Sequence, residues 1–169
     1  MKRRIIDWVL ARPHQFLEFV TILYLTVPIM LFFYGWLKAL YAALAIGATL
    51  ACLVWYYRSL YGEQAPKVTA KVVYTKGALI GALLVLLLWV AMSGIGGIGR
   101  QNFDYNKHNA VIADLTTKDY PVYYDIEGQH KPLVYYVSYY LPAAVVGKTL
   151  GDSVAVTNAA LLLLSLIHI

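Results

Sequence analysis

The chain has 169 residues, 60% of them hydrophobic and 14% charged, with a formal net charge of +5 and a mean hydropathy of +0.61. Soluble domains average about 45–50% apolar and about 25% charged residues, so this composition argues against a water-soluble domain and for a bilayer as partner. The basic excess forms no aromatic-interleaved patch, which sets nucleic acid aside, and the single Cys52 excludes an intrachain disulfide.

Residues 1–15 open with Lys2, Arg3, Arg4 and Arg12. Apolar runs follow at 16–36, interrupted only by Glu18, at 40–57 and at 77–93. Each is close to the roughly 20 residues that cross a hydrocarbon core, so three transmembrane helices are expected. Gly35, Trp36 and Lys38 tie the first two into a hairpin over 16–57, and Arg58, Lys67, Lys71 and Lys76 fill the loop 58–76. Basic loops stay cytoplasmic. The expectation is a multi-pass protein of the plasma (inner) membrane, its N-terminus cytoplasmic and residues 94–151 outside. The first run is too long for a signal peptide and no small-residue cleavage site follows it, so it reads as a retained span. With 15 Tyr and 4 Trp, the chain is rich in side chains that favour membrane–water interfaces.

The third run delivers "GIGGIGRQNFDYNKHNAVIADL". Gly94, Gly96 and Gly99 spell G-x-G-x-x-G, but a dinucleotide site needs a strand before it and a helix after it, and here a span precedes. No nucleotide cofactor is expected; glycines at a helix exit let the backbone turn. A helix over 103–117 puts Asp104, His108, Val111, Ile112 and Leu115 on one face. A carboxylate on such a stripe would be partly desolvated, and Asp104 with His108 then becomes a candidate general base or metal ligand. The plainer alternative is that Asp104 caps the helix and His108 is solvated. Asp114, Asp119, Asp125 and Glu127 lack calcium-loop spacing, which leaves a divalent metal open with Asp104 as its one candidate ligand. "TTKDYPVYYDIEGQHK" reads as a loop with a short extended piece and a turn at Glu127-Gly128.

In "KPLVYYVSYYLPAAVVGKTLG", Pro132 suits a first helical position and Gly151 a stop, so a Tyr-rich interfacial helix is expected between them. Lys131 would stand at its positive end, placed either to hold a lipid phosphate or simply to snorkel. Asp152 or Ser153 would cap a last apolar run, the start of a fourth span within 152–169. "LSLIHI", 164–169, is what one frame of a common sequencing-transposon adaptor encodes, so a truncated fragment with an artificial tail is expected. The fold class that follows is an all-α membrane protein, a multi-span helical bundle whose extracytoplasmic loop contains amphipathic interfacial helices.

Read as one unit, "FDYNKHNAVIADLTTKDYPVYYDIEGQHKPLVYYVSYYLPAAVVGKTLG" resembles the first extracytoplasmic loop of GT-C integral-membrane glycosyltransferases. The most similar branch holds the protein O-mannosyltransferases and lipid A aminoarabinose transferases. The matching pieces are Asp104, the helix to Leu115, the stretch from Lys118 to Val122, Gly128, and Lys131-Pro132-Leu133-Val134-Tyr135. Two departures stand out. The family's acidic pair is here Asp104-Tyr105, and the loop follows the third apolar run instead of the first. The resemblance implies sugar transfer from a polyprenyl-phosphate donor at the outer membrane face. In it, Asp104 (with His108 standing in for the second carboxylate) serves as base or metal ligand, and Lys131 binds the donor phosphate. A non-catalytic transporter or flippase subunit would instead carry polar residues along its spans, where Glu18 is the only acid. A plain membrane anchor is the third alternative.

Overall fold

The structure, a computed structural model, describes residues 13–62 and 75–168. Lys2, Arg3, Arg4, Arg12, Lys67 and Lys71, on which the expected sidedness largely rests, lie outside the described residues, as does Ile169. The described chain is mostly helical. Helices α1 (Pro13–Trp36), α2 (Ala39–Gly62) and α3 (Lys76–Met92) come first, and α4 (Asp104–Thr117) follows a short 3-10 turn at Ile95–Gly97. Strands β1 (Tyr123–Ile126) and β2 (Gln129–Pro132) precede a second 3-10 turn (Val137–Tyr139), α5 (Leu141–Thr149) and α6 (Val154–His168).

Two of these helices are long and apolar enough to cross a membrane, over Leu17–Trp36 and Ala39–Ser59. At about 1.5 Å per residue each covers about 30 Å. They pack on each other as the expected hairpin, and Tyr56 donates a hydrogen bond to Glu18 across it. The third apolar run forms a helix of 17 residues, shorter than the other two. Almost nothing on these helices is buried. Ala42 is the buried hydrophobic residue of α2 and Val90 that of α3, while Leu83, Leu84, Val85, Leu88 and Trp89 of α3 are all exposed.

The core lies instead in the segment that looks polar in sequence. Val111, Ile112 and Leu115 of α4 bury against Val122, Val137, Leu141, Ala143, Ala144 and Leu161. The apolar stripe expected on α4 is therefore a packing face. α5 and α6 meet where Gly147 lets them approach closely, and α6 buries Thr157, Leu161 and Ser165, one side of the helix at intervals of four. The hydroxyls of Thr116 and Thr157 sit 2.8 Å apart inside this contact.

The loop expected between α4 and the next helix is an ordered antiparallel hairpin. Tyr123 pairs with Pro132 and Ile126 with Gln129, and the turn falls at Glu127-Gly128 as read from sequence. The expected helix from Pro132 does not form. Pro132 closes β2, the Leu133 N–H donates to the Val122 carbonyl at 2.7 Å, and α5 begins only at Leu141, with Pro142 in its first turn. Pairing of Pro132 with Tyr123 across the hairpin overrides proline's preference for a helix start. α1 is joined to this unit at its end. Trp36 packs on Tyr120 with ring centroids 5.2 Å apart, and its indole N–H donates to the Leu133 carbonyl at 3.4 Å.

Candidate functional site

The glycine stretch builds one wall of the site. Gly94, Gly96, Gly97 and Gly99 all hold φ between +73° and +83°, the left-handed region that favours glycine. At Gly96 a Cβ would sit 2.8 Å from the Asn158 carbonyl oxygen, so the turn lies directly on α6. The expected role as a helix exit thus holds, and no βαβ unit surrounds the motif among the described residues. Three side chains fix the turn to α4. Tyr105 donates to the Ser93 carbonyl at 2.5 Å, Gln101 donates to the Gly94 carbonyl at 2.8 Å, and Asn109 donates to Gln101 Oε1 at 2.9 Å.

Asp104 is the first residue of α4, and its N–H donates to Asn102 Oδ1 at 3.1 Å. The side chain that satisfies the helix start is therefore Asn102, not Asp104. His108 follows one turn later on the same side. Both line a cleft of about 320 Å³ between the glycine turn, α4, Tyr139-Tyr140 and Leu161 of α6. Burial fades toward the start of the stripe: Leu115 is fully buried, His108 is half-buried and Asp104 is exposed. The expected desolvation of the Asp104 carboxylate does not occur, because α4 projects its first turn beyond the packed core.

His108 sits among four phenol rings. Tyr105 approaches edge-on with centroids 5.8 Å apart, and Tyr135, Tyr136 and Tyr140 lie at 6.2, 6.2 and 6.1 Å. The Tyr140 hydroxyl lies 2.7 Å from His108 Nδ1, and beside it the Tyr135 hydroxyl donates to that of Tyr136. Burial, reinforced by the neighbouring phenols, pushes the Tyr140 hydroxyl well above the ordinary tyrosine range, so it stays neutral. Lys107, next to His108, holds its ammonium 5.2 Å from the Tyr135 ring centroid.

Lys131 is elsewhere. It is exposed on β2 opposite Tyr124 and is not among the residues lining the cleft. No helix starts beside it, so the expected contribution of a helix N-terminus to anion binding there is absent. Asp114 and Asp125 serve the hairpin. Asp114 pairs with Lys118 at 2.8 Å and accepts from Tyr124, and Asp125 pairs with His130 across the strands. Among the described residues no three His, Cys, Asp or Glu side chains group as metal ligands. Asp104 with His108 alone is too small a donor set for a divalent ion held by the protein alone.

The sequence reading missed Tyr140, Tyr136, Lys107 and Asn102. Its available signal was the pair of Tyr-Tyr dipeptides four residues apart, which suits an aromatic cage as well as an interfacial helix. Compared with protein-family models, with curated proteins and with solved structures, the chain matches none of them.

Proposed function

We propose that the chain acts within a GT-C-type integral-membrane glycosyltransferase that moves a sugar from a polyprenyl-phosphate-linked donor to an acceptor at the outer face of the membrane. The observation that carries this reading is the joint presence of Asp104 and His108 on one cleft at the exit of an apolar helix. The exposed apolar faces of α1, α2 and α3 support a lipid environment, since contiguous apolar surface of that extent is rare in water. Glycosyl transfer from such a donor needs a base near the acceptor hydroxyl and a cation near the leaving phosphate. Asp104 and His108 are the groups available for the first task, and Lys131 or Lys107 for the second.

A transporter or flippase subunit handling the same lipids would need a polar pathway through its spans. The single spanning acid, Glu18, is already engaged by Tyr56 across the hairpin, which favours the transferase.

The test is transfer of a labelled sugar from a polyprenyl-phosphate donor by membranes containing the protein expressed in its own full reading frame. Asp104→Asn and His108→Asn, singly and together, should leave expression and insertion intact. The double variant should lose a factor on the order of 10²–10⁴ in turnover, the usual contribution of general acid–base catalysis. Normal turnover by the double variant would sink the assignment.

A further inference from the structure

We infer that the groove between the middle of α1 and the α5–α6 pair seats the polyprenyl tail of a lipid whose phosphate and sugar lie in the cleft. That this tail belongs to a sugar donor rests on the transferase reading; that the groove takes a polyprenyl chain is tested without it. One wall is a single face of α1, since Val20, Leu23, Tyr24, Val27 and Pro28 fall at the i, i+3, i+4, i+7 and i+8 positions. Pro142, in the first turn of α5, and Leu164 of α6 close the other side of a space of about 260 Å³ whose wall is apolar throughout. Because Leu164 opens the adaptor-like stretch 164–169, the seat rests on the α1 face and Pro142.

Pro28 divides α1 into two stretches with different neighbours. Beyond it, Leu31, Phe32 and Trp36 pack on the core, while before it Val20, Leu23 and Val27 are exposed. A proline inside a helix has no N–H to donate and crowds the turn before it, so it is where two stretches of one helix can take different courses. α5 touches α1, yet the described protein leaves the face before Pro28 uncovered.

The groove borders the cleft. Tyr139 and Tyr140 line the cleft and Pro142 lines the groove; Leu161 lines the cleft and Leu164, on the same side of α6, lines the groove. Chemistry separates the two spaces. The cleft carries Asn102, Asp104, His108 and Asn109, whereas the groove carries no charged or amide group. A ligand that spans both has a polar head and a long apolar tail. From Val20 to Pro28 the groove follows eight helical steps, about 12 Å, which holds about two prenyl units at about 1.2 Å of advance per chain bond. It offers one lane, which suits a single chain borne directly on a phosphate; a diacyl phospholipid brings two chains to a glycerol. Bilayer lipid is as apolar as the groove, so the tail gains packing there and not hydrophobic transfer. The effect of the seat is therefore on where the head group lies. α1 and α2 precede the loop as an addition to the resembled pattern, so the resemblance assigns this face no role.

The experiment is photo-crosslinking of the protein, expressed in its own full reading frame, in phosphatidylcholine vesicles. The probe is a polyprenyl phosphate with a diazirine in its second prenyl unit, and the control is phosphatidylglycerol with the same group in one acyl chain. Mass spectrometry should find the prenyl label concentrated on residues 20–28. Unlabelled polyprenyl phosphate should displace it, and an equal amount of phosphatidylglycerol should not. Leu23→Trp and Val27→Trp, which fill the groove, should cut the labelling several-fold, while Ile29→Trp on the far face of α1 should leave it unchanged. Should a tryptophan variant fail to insert, the competition on the wild type decides alone. Label spread evenly over α1, α2 and α3, or displaced equally by phosphatidylglycerol, would mean that bulk lipid fills the groove and overturns the inference. A face at 20–28 that neither probe labels is covered by protein, which overturns it as well. In the transfer assay Leu23→Trp should raise the donor KM several-fold at little-changed kcat. Sugar transfer with the tail label elsewhere would sink the seat and keep the transferase, whereas the expected labelling without any transfer would sink the transferase and keep the seat.

Discussion

Replacing Gly147 by alanine sets two effects of opposite sign against each other. Helix propensity alone favours alanine by about 1 kcal/mol within a helix. The α5–α6 contact opposes it. An added Cβ would lie 1.9 Å from Thr157 Oγ1, 3.0 Å from Thr157 Cβ and 2.8 Å from the Ser153 carbonyl oxygen. Rotating the Thr157 hydroxyl away relieves only the first of these and breaks its pairing with Thr116, a buried bond worth about 1 kcal/mol. The backbone oxygen cannot rotate away, so the helices must separate, at an overpacking cost of about 1–3 kcal/mol. The net is about 1–3 kcal/mol of destabilisation, or a Tm lower by about 2–12 °C for a chain of this size. Thermal unfolding in detergent followed by tryptophan fluorescence measures it. Combining Gly147→Ala with Thr157→Ala should cost less than the sum of the two singles, because the shorter side chain vacates the clash. A Tm that stays level or rises for Gly147→Ala would mean that propensity dominates and that α5 and α6 do not meet at Gly147.

Alkaline pH should destabilise the loop. Burial raises Tyr120 to about 12, and burial with the Asp114 hydrogen bond raises Tyr124 to about 12, against about 10 for an unfolded tyrosine. Their stabilisation is therefore complete below about pH 10 and lost as pH climbs from there through 12; Tyr120→Phe should flatten the fall in Tm, and a curve already flat in the wild type would contradict the burial. Glu127 holds φ +53° in the hairpin turn before Gly128 at φ +75°, so Glu127→Asn should gain on the order of 0.5 kcal/mol and slow hydrogen exchange at the Leu133 amide; faster exchange would count against this turn geometry. If the donor phosphate is held beside the cleft, Lys107→Gln should raise the donor KM several-fold and Lys131→Gln should not. The reverse result would favour the hairpin lysine named by the resemblance.

The sequence was most legible where one rule acted alone. Periodicity located the α4 stripe, because Val111, Ile112 and Leu115 obey a single helical repeat and bury against the same neighbours. The positive-φ glycines followed from their place after an apolar run. Reading failed where a non-local partner overrode a local preference. Pro132 is a good helix starter by itself, yet its strand pairing with Tyr123, nine residues earlier, decides its conformation instead. Helical angle puts Asp104 on the buried stripe, but angle carries no information on how far along a helix the core extends. Pro132 suggests a helix N-terminus beside Lys131, but the hairpin displaces the helix start to Leu141. The His108 cage was invisible for the same reason, since Tyr140 reaches His108 across 32 residues of chain.

The inversion of burial links these observations. In a water-soluble protein the most apolar helices build the core, whereas here α1, α2 and α3 leave their side chains outward and the mixed-polarity segment packs inward. Exposed apolar surface of that extent on α1, α2 and α3 suits apolar surroundings, while the mixed-polarity segment packs on itself at their end. Trp36 and Phe32 at the end of α1 stack on each other, and Trp36 continues onto Tyr120, which donates a 2.6 Å hydrogen bond to the Leu115 carbonyl at the base of α4. Gly35 allows Tyr120 to press against α1, because a Cβ there would meet the Tyr120 side chain at 3.2 Å. This chain of contacts runs from the apolar helix to the helix that carries Asp104 and His108. It ties the cleft lined by Asp104 and His108 to the end of α1, so under the proposed transferase function a substrate anchored by an apolar tail beside that helix would present its head group to the cleft at a constant depth.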